Sequence, residues 1–106
     1  MSHVVQDNGA VIITPDTDIV ASQAQTLRAP LWKEIENGTT HVVVDLQHVE
    51  MVDSFGMGLF ISAQNSLHAQ GGKLTVMNVS EDLLRMFRLM RLDKHFAITA
   101  RTNASR

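Results

Sequence analysis

The sequence predicts an α/β fold built on one mixed sheet, because β-rich and helical segments alternate along most of the chain. Two short β-rich runs, residues 4–6 and 11–14, flank the turn sequence Asp-Asn-Gly at residues 7–9 and are typical of an antiparallel hairpin. After this hairpin, helices separate the strands, and a strand–helix–strand crossover pairs its strands in parallel. The predicted order is therefore ββαβαβα, and a short strand at residues 96–99 would complete it.

The length and composition restrict both the number of domains and the class of function. A chain of 106 residues and 11.7 kDa suits one domain, and size scaling leaves roughly 65% of its surface buried, enough for one modest core. A net charge of −2 excludes the strongly basic surface of a nucleic-acid-binding protein. The absence of cysteine excludes disulfides, thiolate zinc sites and a cysteine nucleophile. With no long apolar run and no secretory signal, we expect a cytoplasmic protein without direct membrane insertion.

The first predicted helix follows the hairpin. Residues 15–18, Pro-Asp-Thr-Asp, interrupt the second strand and supply side chains that cap helices well. The candidate N-caps are Asp16, Thr17 and Asp18. We therefore predict a helix from about Ile19 to residues 37–38, where Asn-Gly is a common C-terminal signal. Pro30 lies inside this helix, so we expect a kink or two helical segments meeting there.

The clearest strand lies at residues 41–46, where three consecutive valines are typical of a strand buried on both faces. A loop follows over residues 47–52. Asp53 or Ser54 can then cap a second helix, which ends at the Gln-Gly-Gly sequence of residues 70–72.

The last part of the chain predicts a strand, a helix and a tail. Residues 73–77 form the strand, and Ser80 caps the third helix, whose first turn is acidic. An apolar stripe on this helix is expected to face the core. Its members are Leu83, Leu84, Phe87 and Met90. The polar tail, residues 101–106, is expected to be flexible.

The start of the second helix is where we expect a functional site. Ser54 lies at a helix N-terminus, where backbone N–H groups and the helix dipole favour a phosphate. Gly56 falls on the inward face, and its missing side chain allows close packing on the sheet. The other members of that face are Phe60, Ala63 and Leu67. Gly58 falls on the outward face, where it leaves the backbone open to a partner.

These elements resemble the STAS family, which has the fold of bacterial anti-sigma factor antagonists. The resemblance covers about residues 4–99. Its most specific parts are the strand at 41–46, Val-Asp-Ser-Phe-Gly-Met-Gly-Leu at 52–59 and Gly-Gly-Lys-Leu at 71–74. We therefore expect a single STAS-like domain, with a four- or five-stranded mixed sheet, residues 42–46 among its central strands, and helices mainly on one face.

The resemblance also implies a regulatory switch that is not an enzyme. In the family, the Ser that follows the Asp is phosphorylated by a partner kinase, which is itself the anti-sigma factor, and Ser54 matches this Ser. The acidic residue before the first helix matches Asp18, with Asp16 as the competing match. Phe55 stands where the family often has a second hydroxyl residue, which changes the rim of the site. The implied partners are a serine-kinase anti-sigma factor, released on phosphorylation, and a serine phosphatase. No cofactor is expected, because the nucleotide belongs to the kinase.

A surface beside Ser54 is expected to bind this partner. Phe55, Met57 and Ile61 should be partly exposed there, although Met57 and Ile61 could instead widen the core stripe of the helix. The full set of candidate partner-binding residues is Asp18, Asp53, Phe55, Met57, Gly58 and Ile61.

Two other classes of function are compared with this switch. One is a STAS module that serves as a structural subunit of a transporter or signalling complex and is never phosphorylated. The other is a hydrolase with Ser54 as nucleophile, which the sequence disfavours because Val52 occupies the first glycine position of a G-x-S-x-G elbow. No phosphate-binding P-loop is present, and the five histidines are too scattered to predict a metal site.

Overall fold

A five-stranded mixed sheet forms the centre of the molecule in the computed structural model, which describes residues 2–101. The strands are β1 (Ser2–Asp7), β2 (Ala10–Pro15), β3 (His41–Asp45), β4 (Lys73–Val79) and β5 (Ala97–Ala100). They lie side by side in chain order; β1 is antiparallel to β2, and the other neighbours are parallel. The predicted mixed sheet with β3 at its centre is therefore confirmed.

Three helices connect the parallel strands: α1 (Ala24–Glu36), α2 (Ser54–Ala69) and α3 (Glu81–Leu89), the last followed by a 3-10 turn over Leu92–Lys94. Each crossover advances in the same direction along the sheet. With the usual right-handed connection, all three helices then lie on one face, and α2 is the middle helix. Within residues 2–101, no helix combines the length and apolar character needed to cross a membrane.

The pattern of burial agrees with helices on one face. In β2, Val11 and Ile13 are buried while Ile12 between them is partly exposed. Buried side chains of β3, β4 and all three helices join Val11 and Ile13 in one core, in which the rings of Phe60, Phe87 and Phe96 lie edge to face at 6.0–6.5 Å. Val43 is buried but lies outside this core, on the opposite face of the sheet.

The hairpin has the predicted turn. Asn8 and Gly9 have φ angles of 52° and 87°, and Asp7 pairs with Ala10. Positive φ at both central residues is the type I′ geometry, which Asn-Gly adopts readily and which matches the twist of the two strands.

The start of the first helix was predicted wrongly. Helix α1 begins at Ala24, with Gln23 in the N-cap position, and not near Ile19. The expected caps, Asp16, Thr17 and Asp18, all lie in the loop before it. Ile19 instead forms an isolated parallel β-bridge with Val52. Hydrogen bonds between distant parts of the chain therefore outweigh the local preference of residues 16–18 to cap a helix.

The end of α1 agrees with the sequence. The helix ends at Glu36, and Gly38 follows with φ of 83°. One helix runs through Pro30, so the alternative of two separate segments is wrong.

The predicted stripe on α3 is correct only in part. Leu83 and Phe87 are buried and Leu84 is half-buried, but Met90 is 51% exposed. Met90 is the C-cap, so it lies beyond the residues that follow the helical period. Ser80 caps α3 as predicted, with its Oγ 3.3 Å from the backbone N of Leu83.

Arg101 is the first residue of the predicted tail. Arg101 is half-buried and donates side-chain hydrogen bonds to four different residues. Residues 102–106 lie outside the part of the chain that the structure describes.

Candidate functional site

Ser54 is the first residue of α2, and it is exposed. Asp53, and not Ser54, caps the helix: the Gly56 N–H donates to Asp53 Oδ1 (3.1 Å) and the Ala21 N–H donates to Asp53 Oδ2 (2.9 Å). Both oxygens of the carboxylate are therefore used, one for the helix and one for the loop before α1. Because Asp53 does the capping, the Ser54 hydroxyl is left at the surface with no hydrogen bond to any of the described residues.

The two glycines of α2 have different surroundings, as the sequence predicted. A Cβ on Gly56 would lie 2.6 Å from Val52 Cγ1, 2.7 Å from the Ile19 carbonyl oxygen and 2.8 Å from Ile19 Cγ2. A Cβ on Gly58 would meet no other atom within 4 Å. The first turn of α2 can therefore pack on the Ile19–Val52 bridge only with glycine at position 56.

The bridge joins the β2–α1 loop to the β3–α2 loop. The Ile19 N–H donates to the Met51 carbonyl (2.9 Å), and the Asp53 N–H donates to the Ile19 carbonyl (3.1 Å). Asp18 Oδ1 accepts from the N–H groups of Glu50 (2.9 Å) and Met51 (3.2 Å). Asp18, the acidic residue that the resemblance singled out, thus holds the loop that leads to Ser54.

A second carboxylate holds the beginning of the same loop. Asp45, the last residue of β3, is only 5% exposed. It accepts from the backbone N–H (3.0 Å) and side-chain amide (2.8 Å) of Gln47 and from the side-chain amide of Asn78 (2.9 Å). These three hydrogen-bond donors offset the free-energy cost of burying the carboxylate. Sequence analysis placed Asp45 in a strand and missed this role.

A groove opens beside Ser54, between α1 and α2. It has a volume of about 620 Å³, and Ser54 and Phe55 form one wall. Arg28 and Trp32 of α1 form the other, with the guanidinium carbon of Arg28 5.0 Å from the centre of the Trp32 ring. The remaining lining residues are Ala21, Ala24, Gln25, Gly58, Leu59 and Ser62. Sequence analysis missed Arg28 and Trp32, although their i, i+4 spacing indicates a shared helix face.

The residues expected beside Ser54 differ in exposure. Phe55 is 67% exposed, as expected, and Ile61 is half-buried against the core. Met57 is only 4% exposed, so the prediction of its exposure was wrong, and it belongs to the core. Met57 joins the same core cluster as Phe60 and Phe87, so the apolar face of α2 is wider than one stripe.

The environment of Asp53 stabilises its ionised form. The Gly56 N–H lowers the pKa of this carboxyl below its ordinary value of 3.8, desolvation opposes the effect, and the N–H groups of Ala21 and Phe55 lower the pKa further. Ionised Asp53 therefore stabilises the fold fully above the ordinary value, and the contribution is lost as the pH falls through the lower pKa of the folded state.

We expect Asp53→Asn to flatten the dependence of stability on pH in the acid range. The amide retains an oxygen that can cap α2 but has no charge to lose, so the urea midpoint should fall less than in the wild type between roughly pH 5 and pH 2. Asp93→Asn, an exposed carboxylate on the 3-10 turn, is the matched control and should keep the wild-type slope. An unchanged slope for Asp53→Asn would contradict the role of its charge.

The described residues offer no cluster of three or more His, Cys, Asp or Glu side chains that could hold a metal ion. The groups that the site offers are the exposed Ser54 hydroxyl, the capping Asp53 carboxylate and the groove.

The amino-acid sequence is similar to a known domain family and to individual proteins. The chain matches the STAS domain family over residues 2–105. The anti-sigma-B factor antagonist of Bacillus subtilis (strain 168) is 29% identical over 99 residues, which cover 93% of this chain and 90% of that protein.

Two solved structures share the fold. An anti-sigma factor antagonist from Mycobacterium paratuberculosis aligns with a TM-score of 0.84 at 21% identity, covering 99% of this chain and 88% of the other. The phosphorylated form of SpoIIAA, a cell fate determinant of Bacillus, aligns with a TM-score of 0.72 at 19% identity, covering 99% and 95%.

Proposed function

Since this chain belongs to the STAS domain family, we propose that it is a cytoplasmic anti-sigma factor antagonist switched by phosphorylation of Ser54. Unmodified, it binds a serine-kinase anti-sigma factor and displaces what that kinase otherwise holds. Phosphorylated on Ser54, it dissociates, and a serine phosphatase resets it. The observation that carries the proposal is the exposed Ser54 hydroxyl, free at the start of α2 because Asp53 caps the helix. The named relatives do not favour the alternative of a non-phosphorylated structural subunit.

The local electrostatics support a switch that acts on binding and leaves the fold intact. A phosphate adds about −1.5 to −2 charges. Free N–H groups at a helix N-terminus offset part of such a charge, but here the Gly56 N–H already donates to the Asp53 carboxylate. The phosphate on Ser54 therefore lies beside an anion that already uses one of these donors. Its charge stays exposed in solvent and opposes the approach of a partner.

The surface that the partner would cover has both apolar and polar parts. Phe55 is a large exposed aromatic next to Ser54, and the groove behind it presents the Arg28 guanidinium and the Trp32 ring. Aromatic and Arg side chains of this kind dominate the binding energy of protein interfaces. Gly58 lines the same groove without a side chain. Met57, being buried, has no part in this surface.

We expect Phe55→Ala to weaken binding to the kinase roughly 5- to 30-fold, the range for an interface residue worth about 1–2 kcal/mol. Because Phe55 is 67% exposed, its loss should leave the thermal midpoint close to that of the wild type. Leu89→Ala is the matched control, since Leu89 is 78% exposed on α3, away from Ser54. Calorimetric titration measures both affinities. Equal affinities for Phe55→Ala and Leu89→Ala would remove Phe55 from the interface.

The proposed function is tested by displacement. A complex of the serine-kinase anti-sigma factor with its sigma factor is prepared, and this protein is added in increasing amounts. Release of the sigma factor by unmodified protein, and no release by protein phosphorylated on Ser54, would support the proposal. If the unmodified protein does not bind the kinase, the proposal fails and the structural-subunit alternative gains.

A further inference from the structure

Arg101 connects the end of the described chain to the loop that leads to Ser54. Its Nη2 donates to the carbonyls of Leu46 (2.9 Å) and Val49 (3.3 Å), and its Nη1 donates to Glu50 Oε2 (3.1 Å). Its Nε donates to the Asn78 carbonyl (3.3 Å). The base of the side chain is fixed as well, because the Arg101 backbone N–H donates to the Val79 carbonyl (2.8 Å).

These bonds hold one side of a loop whose other side is held by Asp18. Arg101 fixes carbonyl groups at residues 46 and 49, whereas Asp18 fixes N–H groups at residues 50 and 51. Among the residues that the structure describes, the backbone hydrogen bond made within the loop runs from the Val49 N–H to the Leu46 carbonyl. The conformation of residues 46–52 therefore depends on groups supplied from outside the loop.

We propose that Arg101 is a positioning residue of the switch. It holds the β3–α2 loop in one conformation, and through the Asp53 N–H bond to Ile19 it holds Ser54 in the orientation that the kinase requires. The last step rests on the proposed function, whereas the ordering of the loop does not. Arg101 does not line the groove, and neither do the four residues to which its side chain donates, so it acts through the loop.

The chemistry requires a guanidinium. Its planar fork donates from Nη2 to two carbonyls while Nε and Nη1 reach two further acceptors, which the single ammonium of Lys cannot reproduce. The ion pair with Glu50 contributes little, because the Glu50 side chain is 71% exposed. The half-buried carbonyl bonds are the part that orders the loop.

The test compares hydrogen exchange of individual amides in the wild type, Arg101→Ala, Arg101→Lys and Arg88→Ala. The reporters are the N–H groups of Glu50, Met51 and Asp53, with those of Val43 and Val44 in β3 as internal references. Arg101→Ala should increase the exchange rates of the reporter amides about tenfold or more, as expected for the loss of charge-assisted hydrogen bonds. Arg101→Lys should restore protection only in part. Arg88→Ala removes the same charge from an exposed site on α3 and should change nothing.

The same variants are then compared as kinase substrates. Phosphorylation of Ser54 in Arg101→Ala should lose about tenfold in kcat/KM, with Arg101→Lys between it and the wild type. Unchanged exchange rates at the reporter amides would overturn the proposal. An equal increase in the exchange rates of the reporter and β3 reference amides would also overturn it, because that result indicates global destabilisation. Faster loop exchange with an unchanged kcat/KM would overturn the effect on Ser54. If wild-type Ser54 is not phosphorylated at all, the proposed function fails, and exchange alone decides whether Arg101 orders the loop.

Discussion

Phosphorylation of Ser54 is expected to lower the affinity of this chain for the proposed serine-kinase anti-sigma factor by roughly 30- to several-thousand-fold. The range follows from the cost of disrupting a buried polar contact in an interface, about 2–5 kcal/mol, at about 1.4 kcal/mol per factor of ten. Two features of the site make a large effect reasonable: the phosphate lies next to the Asp53 carboxylate, and the Gly56 N–H of the first helical turn already donates to that carboxylate.

The measurement compares affinities before and after complete modification by the kinase and ATP, with the phosphate mapped by mass spectrometry. Ser54→Ala should bind and resist release, and Ser54→Asp should bind more weakly than the wild type, although one carboxylate carries less charge than a phosphate. Thr99→Ala is the matched control, since Thr99 carries an exposed hydroxyl on β5 and does not line the groove. It should be modified and released as the wild type is.

The outcome can contradict the switch in two ways. Phosphate found on another residue would show that Ser54 is not the acceptor. Unchanged affinity after full modification of Ser54 would show that the added charge does not control binding, and would favour the structural-subunit alternative.

Gly56→Ala and Gly58→Ala are expected to change stability in opposite directions, although the two positions are only two residues apart in the same helix. The new methyl at position 56 meets the Ile19 carbonyl and two side-chain carbons at 2.6–2.8 Å. Overpacking of this kind costs about 1–3 kcal/mol, and here a backbone atom must move. The methyl at position 58 meets nothing within 4 Å, so the intrinsic helix preference of Ala should stabilise the protein by about 0.5–1 kcal/mol.

Urea denaturation of the two variants and the wild type provides the comparison, and each glycine serves as the control for the other. A destabilised Gly58→Ala would mean that the open side of α2 is more crowded than the structure shows. An unaffected Gly56→Ala would mean that the bridge between Ile19 and Val52 gives way without cost, and that close packing there does not fix the start of α2.

Most of the fold could be predicted because its signals are local. The Asn-Gly turn, the valine run of β3 and the caps at Asp53 and Ser80 each act over a few residues. The start of α1 could not be predicted, because Asp18 satisfies N–H groups 32 and 33 residues away in place of a helix N-terminus. Propensity and capping rules contain no information on such a partner.

The candidate site was predicted to a similar extent. The position of Ser54 and the different surroundings of the two glycines followed from the order of residues 53–58, since these depend on one helix and its start. The burial of Met57 depends on the side chains that pack on α2, and the hydrogen bonds of Arg101 depend on a loop more than 50 residues earlier in the chain. Helical periodicity and residue polarity carry information only about the helix or strand that contains the residue. The burial of Met57 and the hydrogen bonds of Arg101 are determined by other helices, strands and loops.

The order of the strands has a consequence for synthesis of the chain. Since strands one to five lie side by side in the order in which they are translated, each new strand can join the free edge of a sheet that already exists, and none has to insert between two paired strands. Pairing between sequence neighbours also keeps the entropy cost of closing each connection low. The loop before Ser54 is the exception. The side chain of residue 101 donates to its carbonyl groups at residues 46 and 49, so on the ribosome the sheet can be nearly finished while this loop still lacks its last bonds.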